Sequence, residues 1–170
     1  MTKLKRPVPA VLLAWLAMLG FDFFLHGGLL ASLYFAEDSF ILSPLEAFRR
    51  IPIGYLGFLL LAIFLVWVVP LFNFDNWKQA FWLGIKLGAI LWGGFLLGLI
   101  SISTIAFSLA LGWFLGQTME LGIGGAVVAM ASKGSSLRRL TLIIVSFVIC
   151  AIVATIVLQS TGVVPALRIQ

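Results

Sequence analysis

The sequence predicts an all-α fold: a polytopic membrane bundle of five transmembrane helices, with a short interfacial helix at about 44–50. Three observations carry this expectation. Of 170 residues, 62 % are apolar and only 10 % are Asp, Glu, Lys or Arg, against roughly 45–50 % and 25 % in a soluble domain. Mean hydropathy is +1.19. The few charges punctuate apolar stretches long enough to cross a bilayer core, which takes about 20 residues. The same composition excludes a water-soluble globule and a disordered chain, which needs low hydrophobicity and high charge. A single cysteine excludes an internal disulfide framework. One His and one Cys cannot build an all-His/Cys metal site, so no metal and no cofactor is expected.

The first span, about 9–35, lies between Lys3, Lys5 and Arg6 on one side and Glu37 and Asp38 on the other. Its basic start is like a signal peptide's. Its apolar stretch outruns the usual 7–15 or so residues, and no A-x-A site follows, so it is read as a retained span. The second, about 53–72, lies between Arg50 and Asp75, with Pro70 as a kink or stop. From Lys78 to Lys133 only Lys86 and Glu120 carry charge. As one helix that stretch would be about 80 Å long, against a core of about 30 Å. It must turn back on itself, and the polar cluster Ser101, Ser103 and Thr104 is the natural place. Spans at about 79–100 and 106–131 result. The last, about 140–159, follows Arg138 and Arg139. Residues 1–170 form one integral membrane domain.

The longest connection, Ala36 to Pro52, contains Ser43-Pro44-Leu45-Glu46. That is a capping box with Pro at the first helical position, so 44–50 is expected to form a short interfacial helix with Leu45 and Phe48 toward lipid or protein. Arg49 and Arg50 at its end anchor to lipid headgroups or clamp an anion over the outer face. Orientation follows from the Lys and Arg count. With the N-terminus inside, Lys3, Lys5, Arg6, Lys78, Lys133, Arg138 and Arg139 are inner, and Arg49, Arg50 and Arg168 outer. The excess favours N-inside and C-outside. Tyr34 and Tyr55 then mark one interface, and Trp67, Trp77 and Trp82 the other. The net charge of +5 fits this rule and contact with anionic lipid. No basic arm or RNA-binding motif points to nucleic acid.

Ionisable residues inside a span are costly and are functional candidates by default. Asp22 and His26 are four apart and share a helix face. Either they bind each other and lock helices together, or the carboxylate tunes the imidazole as a proton switch. Glu120 belongs to a row, Gly112, Gly116, Glu120 and Gly124, whose small residues mark a helix-packing face, so it points into the bundle. Gln117 and Thr118 add hydrogen-bonding capacity. Measured from the inner edge, Glu120 lies about 16 Å deep, Asp22 about 20 Å and Lys86 about 10 Å. Lys86 either snorkels back to the interface or extends its stem to complete a buried Glu120–Lys86–Asp22–His26 cluster. Gly84 with Gly88, and Gly94 with Gly98, are read as seats for neighbouring helices within the chain; Lys86 lies on the opposite side from Gly84 and Gly88, so the third span is expected to have protein on two faces. Trp92 is expected inside the bundle and Cys150 in inert packing.

The run Asp22-Phe23-Phe24-Leu25-His26-Gly27-Gly28-Leu29-Leu30, with Tyr34 and the later Pro44…Phe48-Arg49 stretch, resembles small uncharacterised bacterial multi-pass membrane proteins with a D-x3-H-G-x-L-L-x3-Y pattern in the first helix. The likeness covers mainly residues 20–55. It implies that Asp22, His26 and Tyr34 belong to one site and implies no reaction.

One histidine excludes a bis-His haem, and no P-loop, G-x-S-x-G, H-E-x-x-H or C-x-x-C occurs. An enzyme with an unfamiliar site stays open but is the weaker class. Two readings stand. One is a small transporter or ligand-binding protein of the bacterial inner membrane with a protonatable site of Asp22, His26, Lys86, Glu120, Tyr34 and Gln117. The other is an accessory or assembly subunit of a larger membrane complex. Expected partners are membrane lipids, with other membrane subunits or further copies of the chain.

Overall fold

The computed structural model describes residues 6–35, 42, 44–133 and 136–165. Five long helices follow in order: α1 Pro7–Phe24, α2 Pro44–Val68, α3 Trp77–Ile102, α4 Phe107–Ser132 and α5 Leu137–Ser160. No strand occurs among the described residues. Five stretches are long and apolar enough to cross a membrane. Helices suit that medium, because each satisfies its own backbone N–H and C=O groups where no water can. The chain is a multi-pass membrane protein.

Local chemistry sets the helix ends. Pro7 opens α1, where a missing N–H costs nothing. Asn76 caps α3 by accepting from Gln79 N at 3.2 Å, while the Gln79 side chain accepts from Asp75 N at 2.8 Å, a reciprocal arrangement of the capping-box kind. Pro70 lies in the 3₁₀ turn Val69–Phe72 that ends α2, and Asn73 follows in the left-handed conformation. The α3–α4 hairpin turns where the serines implied. Ser101 and Ser103 donate to the carbonyls of Gly98 and Leu99 at 2.6 and 2.7 Å, satisfying acceptors of the last turn.

The structure corrects three expectations. Residues 44–50 are helical, but they run without a break into the second span and do not form a separate interfacial helix. Pro52 lies inside α2, and the single hydrogen bond it removes falls near the exposed start of the helix, where the loss is tolerable. Ser43 and the side chains of Leu45 and Phe48 lie outside the described residues. Second, α3 does not have protein on two faces. Only 11 % of its spanning window is buried, against 67 % for α4. Gly84 and Gly88 do seat it on α4: a Cβ on Gly88 would lie 2.8 Å from Thr118 Cα, and one on Gly84 would run into the Leu121 carbonyl. Gly94 and Gly98 meet nothing within 4 Å. Third, Cys150 is exposed on the outside of α5, not packed.

α4 is the central helix. Its Gly row lies along α1 in antiparallel register: a Cβ on Gly112 would fall 2.7 Å from Leu30, one on Gly116 would run into Leu25, and one on Gly124 would come within 2.7 Å of Leu65 and 2.9 Å of Met18. Two apolar clusters result. The larger, around Met18, Leu65, Leu121, Val127 and Val128, fills the end nearer the α1 N-terminus, and Trp92 packs against it. The smaller, around Leu96, Ile105, Leu109 and Ala110, lies at the opposite end, with Tyr34 and Trp113 at its edge.

Candidate functional site

Between the two apolar clusters lies a polar one. It starts where α1 stops being regular. After Phe24 the chain makes a π turn, Leu25–Leu29, closed by Leu30 N donating to Leu25 O at 2.8 Å, and then a 3₁₀ turn, Ala31–Phe35. Single π turns inside helices often mark functional positions, because the extra residue re-aims side chains. Gly27 and Gly28 let α5 approach this turn. A Cβ on Gly27 would lie 3.1 Å from Thr155, and Gln159 Nε2 donates to Gly27 O at 2.8 Å. The irregular backbone is therefore held by a side chain, as it must be at membrane depth.

The π turn carries His26 between three partners. Its Nε2 lies 3.1 Å from Asp22 Oδ1 and 3.3 Å from Gln117 Nε2. Its Nδ1 meets the Tyr34 hydroxyl. That hydroxyl in turn accepts from Trp113 Nε1 at 2.6 Å. Indole N–H only donates, so Trp113 fills an acceptor position on Tyr34 and leaves the phenol proton for His26 Nδ1. His26 then holds its own proton on Nε2 and donates it to Asp22. The Gln117 amide, also a donor, suits the opposite state, with Nε2 bare. Two neighbours of one nitrogen thus favour different proton positions. Moving that proton to Nδ1 exchanges the Asp22 hydrogen bond for the Gln117 one and makes the Tyr34 hydroxyl the acceptor of Nδ1–H.

Glu120 lies deeper. The α1–α4 register sets it opposite Asp22, and Asp22 acts on it electrostatically. Its side chain is fully buried, and neither carboxylate oxygen has a hydrogen-bond partner among the described residues; Gln117 Oε1, in a side chain 5 % exposed, has none either. Leu25 closes the row on one side of Glu120 and Met18 and Leu65 close it on the other. Exposure falls along the group, from 30 % for the His26 side chain to 14 % for Asp22 and 0 % for Glu120. The His26 end of the group is thus its most exposed part and Glu120 its most buried.

Asp22, His26, Tyr34, Gln117 and Glu120, singled out from sequence, are brought together. Lys86 is not, and the four-membered cluster with it does not form: Lys86 is exposed on α3. Gly84 and Gly88 fix the rotation of α3 against α4 and turn the residue between them outward. Arg49 and Arg50 are exposed in the second turn of α2. Tyr34 faces inward to His26, so it is not an interfacial belt residue. Sequence reasoning missed Trp113 as a site member. It also missed Tyr55 of α2, which is half-buried, packs on the core beside α1 and feels Asp22 electrostatically. Trp15 Nε1 donates to the Tyr55 carbonyl at 2.8 Å and pins α2 there. Among the described residues no three His, Cys, Asp or Glu side chains converge as metal ligands.

No family model, no curated protein and no solved structure matches this chain.

Proposed function

We propose that this chain is a small transporter or ligand-binding protein of the bacterial inner membrane, with its N-terminus inside and its C-terminus outside. Asp22, His26, Tyr34, Gln117 and Glu120 form its protonatable site. His26 is the proton switch, Asp22 orients it, and Glu120 is the buried counter-charge. The observation that carries this reading is the graded burial of three neighbouring ionisable groups, ending on a carboxylate with no hydrogen-bond partner among the described residues. A purely structural network would be expected to satisfy its deepest member, because an unpaired buried charge is the costly case. The orientation draws support from Arg6, Lys78, Lys133, Arg138 and Arg139, all exposed at the ends of helices on one side of the bundle. Arg49 and Arg50, at the other end, then contact outer headgroups or an anion.

A second reading, an accessory subunit of a larger membrane complex, is favoured by Gly94 and Gly98, which face open space on the least buried helix. One measurement separates the two. Native mass spectrometry on protein drawn gently from its own membrane should show a lone chain or small homo-oligomer with a retained small mass, lost in D22N and H26A. A stoichiometric partner chain with no retained small mass would overturn the first reading and support the second.

A further inference from the structure

Among the described residues three acceptor oxygens, Gln117 Oε1 and both oxygens of Glu120, are buried and unpartnered on the side of α4 toward Asp22; the fourth such atom, the Thr118 hydroxyl, belongs to the residue packed against Gly88 of α3. Gln117 and Glu120 are three apart, so they project from neighbouring positions on the helix surface. In the state with His26 Nε2 bare, Gln117 donates its amide to that nitrogen, which leaves its carbonyl prong for another partner. Buried orphans of this kind call for a donor, a water or an ion.

The chemistry narrows the choice. Every orphan in the set is an acceptor, so the missing partner supplies positive charge or protons. Asp22 has His26 as its partner, whereas Glu120 has none. Among the described residues no three acidic or His side chains converge, which argues against a divalent ion. Leu25, Met18 and Leu65 close the row around Glu120, so an organic cation is too large. Water brings donors but no charge. A proton on Glu120 bridges two oxygens at most and leaves others unmatched. A small hard cation with oxygen ligands meets several at once. Irregular helix beside the site is a further fit, because unwound backbone at membrane depth is where ion-binding sites are built.

We infer that Gln117, Glu120 and Asp22 form a binding site for a small alkali cation, which competes there with the proton. The inference rests on the reading of these residues as a ligand site. Asp22 of α1 is the titratable group that acts on Glu120; around Asp22 lie His26 of the π turn, Tyr34 of the 3₁₀ turn bonded to His26, and Tyr55 of α2. The charged residues of α3 and α5, Lys78, Lys86, Arg138 and Arg139, are all exposed and do not face Glu120.

The test is thermal unfolding of the purified full chain in detergent, in sodium, potassium or choline chloride at equal ionic strength, across a pH series. A cation that binds only the folded state raises the melting temperature as its concentration grows. One of the two alkali ions should do so relative to choline. The shift should shrink as pH falls, and E120Q and Q117L should abolish it. Direct binding of radioactive sodium or rubidium to the unmutated protein, with displacement by acid, covers the case in which a variant does not fold. Identical melts in all three salts at every pH, with no bound radioactivity, overturn the inference. If the melt then still depends on pH and D22N removes that dependence, the proton-site reading survives without the cation. If neither pH nor salt acts, both fall.

Discussion

Trp113 and Tyr34, separated by 79 positions in the chain, are joined by an indole-to-phenol hydrogen bond of 2.6 Å. That bond biases the polar chain, because an indole N–H can only donate and fills one acceptor position on Tyr34, which favours the phenol proton on the His26 side. Trp113→Phe keeps an aromatic ring, deletes the donor and trims the packed indole to a phenyl, so packing adds to the loss of the bond. It should cost more than about 1 kcal/mol of stability, the net worth of one such bond alone. It should also free Tyr34 to accept from His26 Nδ1–H and so shift the His26 tautomer. Nitrogen-15 NMR of labelled histidine reads that shift directly. The chain has one histidine, so the spectrum holds one assignable pair. An unchanged tautomer would mean that Trp113 packs beside the network without orienting it.

The glycines of α3 make a paired prediction. Gly84→Val drives a side chain into the Leu121 carbonyl, which belongs to rigid backbone. It should destabilise by about 1–3 kcal/mol or more, as overpacking does. Gly94→Val meets nothing within 4 Å and should leave the isolated chain as stable as before. Denaturant titrations in the same detergent compare the two. If Gly94→Val leaves that stability intact yet strips a partner chain from the native complex, the accessory reading gains its interface.

Lys86→Met should change stability by no more than about 0.5 kcal/mol, as expected of an exposed position away from special features. A steep loss would mean that the ammonium reaches the buried carboxylates after all.

Lys86 also marks the line between what could be read from the chain and what could not. Depth along a helix follows from counting residues, and that arithmetic brought Asp22 and Glu120 to one level, where the packing has them. It says nothing of rotation about the axis. Rotation was written at Gly84 and Gly88, which must face α4, and taking them as the packing face turns Lys86 away. The Glu120 row was readable for the same reason, since three glycines at spacing four leave one direction for the residue among them. Asp22 and His26 were readable as a pair, four apart on one helix. The π turn was not, because it arises when α5 presents Gln159 to the Gly27 carbonyl, a contact across 132 positions. Trp113 and Tyr55 joined the site through equally distant contacts. The unbroken α2 was not read because the connection was bounded at Pro52 and the second span begun after it, although one lost hydrogen bond in the first turns of an exposed helix start is affordable.

Glu120→Leu tests the central claim most sharply. Leucine has nearly the shape of glutamate and no polar atoms. If Glu120 were a strut of the fold, its loss would destabilise, as the removal of one partner from a buried pair does. But both of its oxygens lack a hydrogen-bond partner among the described residues, and its neighbours Leu25, Met18 and Leu65 are apolar. Removing an unmatched buried polar group should stabilise by about 1–3 kcal/mol. The gain should be measured in choline chloride, where no alkali ion supports the native carboxylate, and it should narrow in the salt whose cation binds. The same variant should lose the retained small mass. A residue that lowers stability and is kept for its chemistry is what a functional site looks like under selection for activity. Chemical denaturation of the two proteins side by side reads the sign, and a clear loss of stability in Glu120→Leu would assign the carboxyl to the architecture instead.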